Sequence, residues 1–531
     1  MNSPLRRFYA LLPLLFLLPT VLFASAYDGR PKLLVVIVGD QLRADQLERF
    51  RHQFIENGFR LFLDRGAVFT NCNYEYTNTR TGPGHATLLS GAYPPGHGIA
   101  GNEWWDADKK RIAYAAHDPA TKLVGAEGGG LSPHYLLAST LGDELKLATG
   151  GRARVFAVSL KGPAAVLAGG RTADAAYWIE LKSGAWITSS YYMQALPEWV
   201  QQFNQGRRAE KYWSLEWKDS AGKTLRTTSA QDGARGRFFD IVGSTPFATD
   251  YQLEFVRELI TQEKLGSGPA TDLLVVSLSA PDILGHEVGP DSPETAAMLL
   301  ALDRQLAEFF GFVARQFGLA NVWLALSSDH GIAPLPAYAA KLRLPAAHFD
   351  PVEMRKRVNS ALNAKLSPGR NLEYVARIFW PYVYLSQDAF AAVNMKQTEA
   401  ERAAGEALDK ETHVRGFLTR THLAQGQVPA DQLGRRYANS YTPYGGWYVL
   451  LMPAAFAVPH RNLTDHATPY SYDTHVPLAL YGLPFQAGTY RGRCETVDLA
   501  VTLASLLGIN TPSHAVGRVL TEAVAPPRET R

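Results

Sequence analysis

Across 531 residues, 53 lysines and arginines stand against 50 aspartates and glutamates, a net charge of +3 that gives no support for binding a nucleic-acid polymer or a membrane surface. Two cysteines exclude a disulfide scaffold, so stability must come from the core that a chain this long can bury. Cys72 and Cys494 are expected either as one bridge in an oxidising compartment or as two separately buried thiols.

The chain opens with MNSPLRR, runs apolar from Phe8 to Phe23 and reaches Ala24-Ser25-Ala26, the basic, apolar and small-residue order of a secretory signal peptide. Cleavage is expected after Ala26, leaving residues 27–531 as the mature chain and bringing its charge closer to zero. Pro13 and Pro19 interrupt the apolar run, which falls short of the ~20 residues that span a bilayer. Trp447 to Val458 is short and broken by Pro453, so no membrane span is expected later either. A periplasmic or secreted protein follows as the expectation.

"KLLVVIVGD" then reads as a strand buried on both faces, as in a parallel sheet covered by helices, ending in Gly39-Asp40. In "TNTRTGPGHATLLSG", Thr81 stands at a corner and Pro83 fits the first turn of a helix running on through the following residues. A helix start offers free N–H groups to an anion, and a threonine hydroxyl there becomes a competent nucleophile beside a metal ion. The bland alternative is Thr81 as a helix N-cap. Residues around 175–250, aromatic and polar, and around 336–465, charged and then rich in Tyr and Gly, read as insertions that cap the sheet and wall the site.

"DLLVVSLSAPD" and "NVWLALSSDHG" repeat the grammar of the first strand, each ending an apolar run in an acid just past the strand terminus. Ligands gather beyond the carboxyl ends of strands in open α/β sheets, so Asp40, Asp282 and Asp329 are expected to converge. A helical turn in "PDILGH" would put Asp282 and His286 on one face. His330 adjoins Asp329, and His475 follows in "YSYDTHVPL". Carboxylates and imidazoles without sulfur suit Zn²⁺ and are compatible with Mn²⁺ or Fe. "VDLAVTLASLLGI" closes the chain with a helical apolar pattern expected to pack on the sheet.

The set "GDQLRADQLERF", "TRTGPGHATLLSGAYPPGHGIAGNEWWD", "VSLKG", "SAPDILGHEVGPDS", "SSDHG", "DTHVPL" and "GRVL" resembles the alkaline phosphatase superfamily, in the threonine-nucleophile branch related to type I phosphodiesterase and nucleotide pyrophosphatase. The resemblance spans nearly the whole mature chain. It implies a three-layer α/β/α sandwich with a mostly parallel central sheet plus the inserted cap segments. It also implies two zinc ions, one held by Asp282, His286 and His475, the other by Asp40, Asp329 and His330 with Thr81 as nucleophile. Asn102 is implied to bind a phosphoryl oxygen, while His85 and His97 match structural positions. The activity implied is hydrolysis of small-molecule phosphate esters through a covalent phosphothreonine.

Phosphomonoesterases of this branch carry a lysine and, two residues on, an arginine that both reach the phosphate. Here Lys161 stands at the first position and Pro163 at the second. A lysine is a point charge and does not replace a bidentate guanidinium, so Arg80 and Arg171 become candidates to compensate. The reading is a monoesterase, with a phosphodiesterase or nucleotide pyrophosphatase as the alternative and a non-catalytic phosphate- or metal-binding protein as the remote one. A sulfatase is disfavoured, because Thr81 lacks the C/S-x-P-x-R setting of that group.

Overall fold

A computed structural model describes residues 29–229, 237–459 and 463–525. The expected signal peptide and its cleavage point lie outside these residues. Strands β1 (Leu33–Gly39), β2 (Ala67–Asn73), β3 (Val155–Ser159), β4 (Ala175–Ile179), β5 (Trp186–Ser189), β6 (Asp272–Leu278), β7 (Val322–Ser327) and β8 (His475–Tyr481) form most of a 12-stranded sheet. Its order runs β2-β8-β7-β1-β6-β3-β4-β5, with short strands added at both margins.

All seven residues of β1 are buried, and their alternation divides them between two cores. Leu33, Val35 and Ile37 pack on one side with the helices Pro246–Gln262 and Pro293–Phe317; Leu34, Val36 and Val38 pack on the other with Leu499 and Leu503 of the closing helix Asp498–Leu507. An unbroken apolar run is what a strand covered by helices on both faces requires. The result is an α/β/α sandwich.

The sheet is mixed. β7, β1, β6, β3 and β4 are parallel neighbours, whereas β8 pairs antiparallel with both β7 and β2, and β5 antiparallel with β4. The expected start of the first insertion at 175 is therefore corrected: Ala175–Ile179 is a fully buried strand of the central sheet. Its aromatic residues pack in the interior, Tyr177 among them, so the change of texture marks a core strand and not a cap.

Within the second expected insertion, four antiparallel strands build a separate sheet in the order Val375–Phe379, Tyr382–Leu385, Tyr448–Pro453, Val414–Thr419. Helices Pro351–Leu366 and Gln397–Leu408 cover it, and Met354, Val358, Phe390 and Val449 give it its own core. Cys72 and Cys494 are both buried free thiols, aligned opposite each other on paired parallel strands.

Candidate active site

The adjacent strands β7, β1 and β6 deliver acids to one end of the sheet. Asp40 follows β1, Asp329 and His330 follow β7, and Asp282 lies in helix α1 (Ala280–Val288), which follows β6. Asp40, Asp329 and His330 are wholly buried, and each brings one ligand atom within 4.8 Å of the others. Asp40 Oδ1, Asp329 Oδ2 and His330 Nε2 are buried atoms with no hydrogen-bond partner. Three buried polar atoms left unsatisfied and aimed together are costly unless a cation joins them, which fits a metal ion.

A second group joins Asp282 and His286, one turn apart on α1, to His466. His475 does not take part, contrary to expectation. It is the first residue of β8, opposite Asn73, and its Nε2 lies 2.9 Å from the Thr70 carbonyl on the far side of that edge. His466 stacks instead on His330, with ring centroids 3.7 Å apart. The signal for it was in the sequence, since Asp465-His466 repeats the Asp-His pair at 329–330.

The three imidazoles share one arrangement. His286 Nδ1 lies 3.0 Å from the Thr464 carbonyl, His330 Nδ1 2.9 Å from that of Gly331, and His466 Nδ1 2.5 Å from that of Thr79. A carbonyl only accepts, so each Nδ1 donates its proton and each Nε2 is the nitrogen turned to the site, that of His286 lying 3.3 Å from Asp282 Oδ1. Gln41, unnoticed in the sequence, orients the acids: its backbone N–H donates to Asp329 Oδ1 at 3.1 Å and its Nε2 to Asp282 Oδ1 at 2.6 Å. It does so with φ at +70°, a strained conformation for a non-glycine residue and one found at functional sites.

Electrostatics follow from crowding. Burial, then the neighbouring carboxylates of Asp282 and Asp329, push the Asp40 carboxyl up to about 8. Burial likewise pushes Asp329 up to about 7. Burial opposes ionisation of Asp282 as well, but the Lys161 ammonium and His286 hold its carboxyl well below the usual range. Lys161 bridges the group, 2.7 Å from Asp40 Oδ2 and in contact with Asp282 Oδ2. Positive charge is what these three carboxylates lack.

Helix α2 (Thr81–Ser90) brings the hydroxyl to this place. Arg80 is its N-cap and Thr81 its first helical residue, so Thr81 is not the cap. The helix start meets the acids closely: a Cβ on Gly84 would lie 2.3 Å from the Asp329 carbonyl oxygen, so only glycine fits. His85 Nδ1 is 2.8 Å from the Thr81 carbonyl and 3.4 Å from Asp329 Oδ2. Asn102 accepts the Gly82 N–H on Oδ1 at 2.7 Å, leaving its amide nitrogen as the end that can donate to a ligand. His97 is remote from the acids, held by Thr87 Oγ1 and the Ile99 N–H.

Lys161 caps helix α3 (Gly162–Gly169), and Pro163 occupies that helix's first turn, where its missing N–H costs nothing. Arg171, at the other end of α3, donates to the Leu136 carbonyl. Arg80 does face the site. Its Nε donates to Asn78 Oδ1 and its Nη2 to the Trp380 carbonyl, both at 3.2 Å, and it lines the cavity that also holds Asn102.

The profile of the family described as "Type I phosphodiesterase / nucleotide pyrophosphatase" matches residues 34–427. A Myroides odoratus protein named "Calcium-transporting ATPase" is 32% identical over 94% of this chain and 96% of its own. That name is the relative's own; among the described residues here, no helix is long and apolar enough to cross a membrane. "Alkaline phosphatase PhoV" of Synechococcus elongatus is 30% identical, with 93% of each chain covered. The crystal structure of alkaline phosphatase PafA, an enzyme known from Elizabethkingia meningoseptica, superposes with a TM-score of 0.86 at 29% identity, covering 93% of this chain and 99% of that one. Matched by that profile over most of its length and by alkaline phosphatases nearly end to end, the chain belongs to the type I phosphodiesterase / nucleotide pyrophosphatase family, in the threonine-nucleophile branch of the alkaline phosphatase superfamily, and is a phosphate monoester hydrolase.

Proposed function

We propose that the chain is an exported phosphatase with a single catalytic domain, which works through a covalent phosphothreonine at Thr81 and holds two zinc ions. The observation that supports this most is the pair of three-residue groups, Asp40-Asp329-His330 and Asp282-His286-His466, at the start of the helix that carries Thr81. Each group combines carboxylate and imidazole without sulfur, a donor set that suits zinc and is compatible with manganese or iron. When bound, such ions supply the charge neutralisation that makes a hydroxyl nucleophilic and a departing oxygen stable.

The chain's own residues supply the rest. Thr81 Oγ attacks phosphorus in line, its bond to phosphorus forming as the bond to the leaving oxygen breaks, and the alcohol departs with a proton. The Asn102 amide donates to a phosphoryl oxygen, held in that orientation by the Gly82 N–H. Lys161 adds a cation next to Asp40 and Asp282, where a dianionic monoester gains more than a monoanionic diester. Water then cleaves the phosphothreonine and returns the Thr81 hydroxyl. With Pro163 offering no guanidinium, a residual diesterase activity accompanies the monoesterase.

Rapid acid quench of the enzyme with an aryl phosphate, followed by peptide mass analysis, is expected to find phosphate on Thr81. Full hydrolysis by Thr81→Ala would overturn the mechanism. Elemental analysis of the active protein tests zinc, and N-terminal sequencing of the exported protein tests cleavage after Ala26.

A further inference from the structure

Cys72 and Cys494 take no part in the candidate site, yet the fold brings them together from the two ends of the chain. Cys72 lies in β2, and Cys494 opens a short strand, Cys494–Glu495, that pairs parallel with β2, matching Cys72 to Cys494 and Asn73 to Glu495. Residues matched across neighbouring strands have Cα atoms about 4.8 Å apart, inside the span of about 4.4–6.8 Å that a disulfide bridges. β2 shifts its register against β8 between Phe69 and Cys72, an irregularity that adds local twist just before the cysteine. The two thiols are in hydrogen-bonding contact with each other.

Adjoining thiols can serve as a nucleophile, a metal site or a disulfide, and the surroundings decide between these. Both side chains are buried in the core that also holds Phe69, Val476, Leu499 and Leu503. Burial, then Cys494 itself and the carboxylates of Asp498 and Glu495, push the Cys72 thiol well above its ordinary value, so it keeps its proton and makes a poor nucleophile. Among the described residues, neither cysteine joins a group that could hold a metal ion. What remains is a bond between the two sulfurs, at a place where the sheet pairs through only two residues. Just beyond that strand the Val497 carbonyl packs against Gly91 at the end of helix α2, and the Val516 N–H donates to the Gly91 carbonyl at 2.8 Å. The segment that Cys494 anchors therefore backs the helix that carries Thr81.

We propose that Cys72 and Cys494 are a modification site, closed into a disulfide when the chain folds in an oxidising compartment. This rests on the reading that the chain is exported. The oxidant is a protein or small-molecule disulfide. One cysteine thiolate attacks it to form a mixed disulfide, and the second thiolate displaces the oxidant as the Sγ–Sγ bond forms. The two electrons and the two protons given up by the cysteines leave with the oxidant as its dithiol. Thiols this buried are out of a carrier's reach in the folded protein, so exchange precedes closure of the sheet margin, and the finished bond is shielded from reductant. Because the bond closes a loop over most of the chain, it acts chiefly by restricting the unfolded state.

The test uses the unmutated chain, purified from the exported fraction and, separately, from cells that retain it in a reducing cytoplasm. On unfolding in iodoacetamide, the exported protein is expected to take up no alkyl group, and peptide mapping without reductant to find Cys72 joined to Cys494. The retained protein is expected to take up two. The bridged form should melt about 5 °C above the dithiol form, and Cys72→Ala/Cys494→Ala protein should melt alike from both sources. Two free thiols in the exported protein would overturn the proposal. If fractionation places the chain in the cytoplasm, it is the export reading that fails. Dithiol protein refolded with oxidised glutathione then tests the pair by itself, and thiols that stay free or join separate chains overturn it.

Discussion

His286, His330 and His466 each hand a proton to a backbone carbonyl and turn the opposite nitrogen inward, so the backbone fixes the tautomer before any ion arrives. His466→Ala is therefore expected to lose metal from one of the two groups and to lower kcat/KM by at least about a hundredfold. His475→Ala is expected to leave metal content near that of the parent, measured as metal per chain by emission spectrometry. Equal metal loss in both variants would contradict the placement. The sequence made Asp40, Asp282, His286, Asp329 and His330 readable because each lies just past a strongly apolar strand. His466 sits in an irregular loop with no periodicity to mark it, whereas His475 adjoins a strand and borrowed that signal. Gln41 was invisible for another reason: its role depends on a backbone conformation that composition does not encode. At Lys161 the expectation is a split. Lys161→Ala should depress monoester turnover about a hundredfold and diester turnover less, compared on matched aryl substrates. Equal loss on both would remove Lys161 from the discrimination.

Helix α2 owes its position to Gly84, where it touches the backbone at Asp329. An alanine there must push the helix or the loop after β7, so Gly84→Ala is expected to cost about 1–3 kcal/mol in denaturant unfolding and to lower activity through displaced ligands. Unchanged stability and rate would mean that the contact yields freely. At this scale β1, β6 and β7 were legible because burial on both faces writes an unbroken apolar run. The cap sheet was not: its strands are only four to six residues long, the outer two, Val375–Phe379 and Val414–Thr419, are buried on only part of their surface, and its Tyr and Gly content reads as loop. Ala175–Ile179 fell between the two kinds, a core strand opening a stretch that turns aromatic and polar.

For the molecule as a whole, acid sensitivity follows from buried neutral histidine. Burial lowers the His97 ring to about 3, against about 6.5 when exposed in the unfolded chain. Above about pH 6.5 neither state is protonated and its contribution to stability is complete; as pH falls below that value the unfolded chain takes up the proton first and stability is lost progressively towards 3. The melting temperature should therefore drop between pH 7 and 4, and His97→Gln should flatten that drop. Because the difference between parent and variant cancels what the metal groups add, parallel slopes would remove His97 from the account.

The first strand to leave the ribosome is the middle of the sheet. Leu33 in β1 pairs with Asp272 on one side and Val322 on the other, and the ligand set closes only with His466. Such long-range pairing makes folding slow and leaves the N-terminal third without its partners while synthesis continues. The two side-chain groups thus stay incomplete until the last fifth of the chain is present, so on the proposed reading a nascent chain strips no phosphate during its own synthesis.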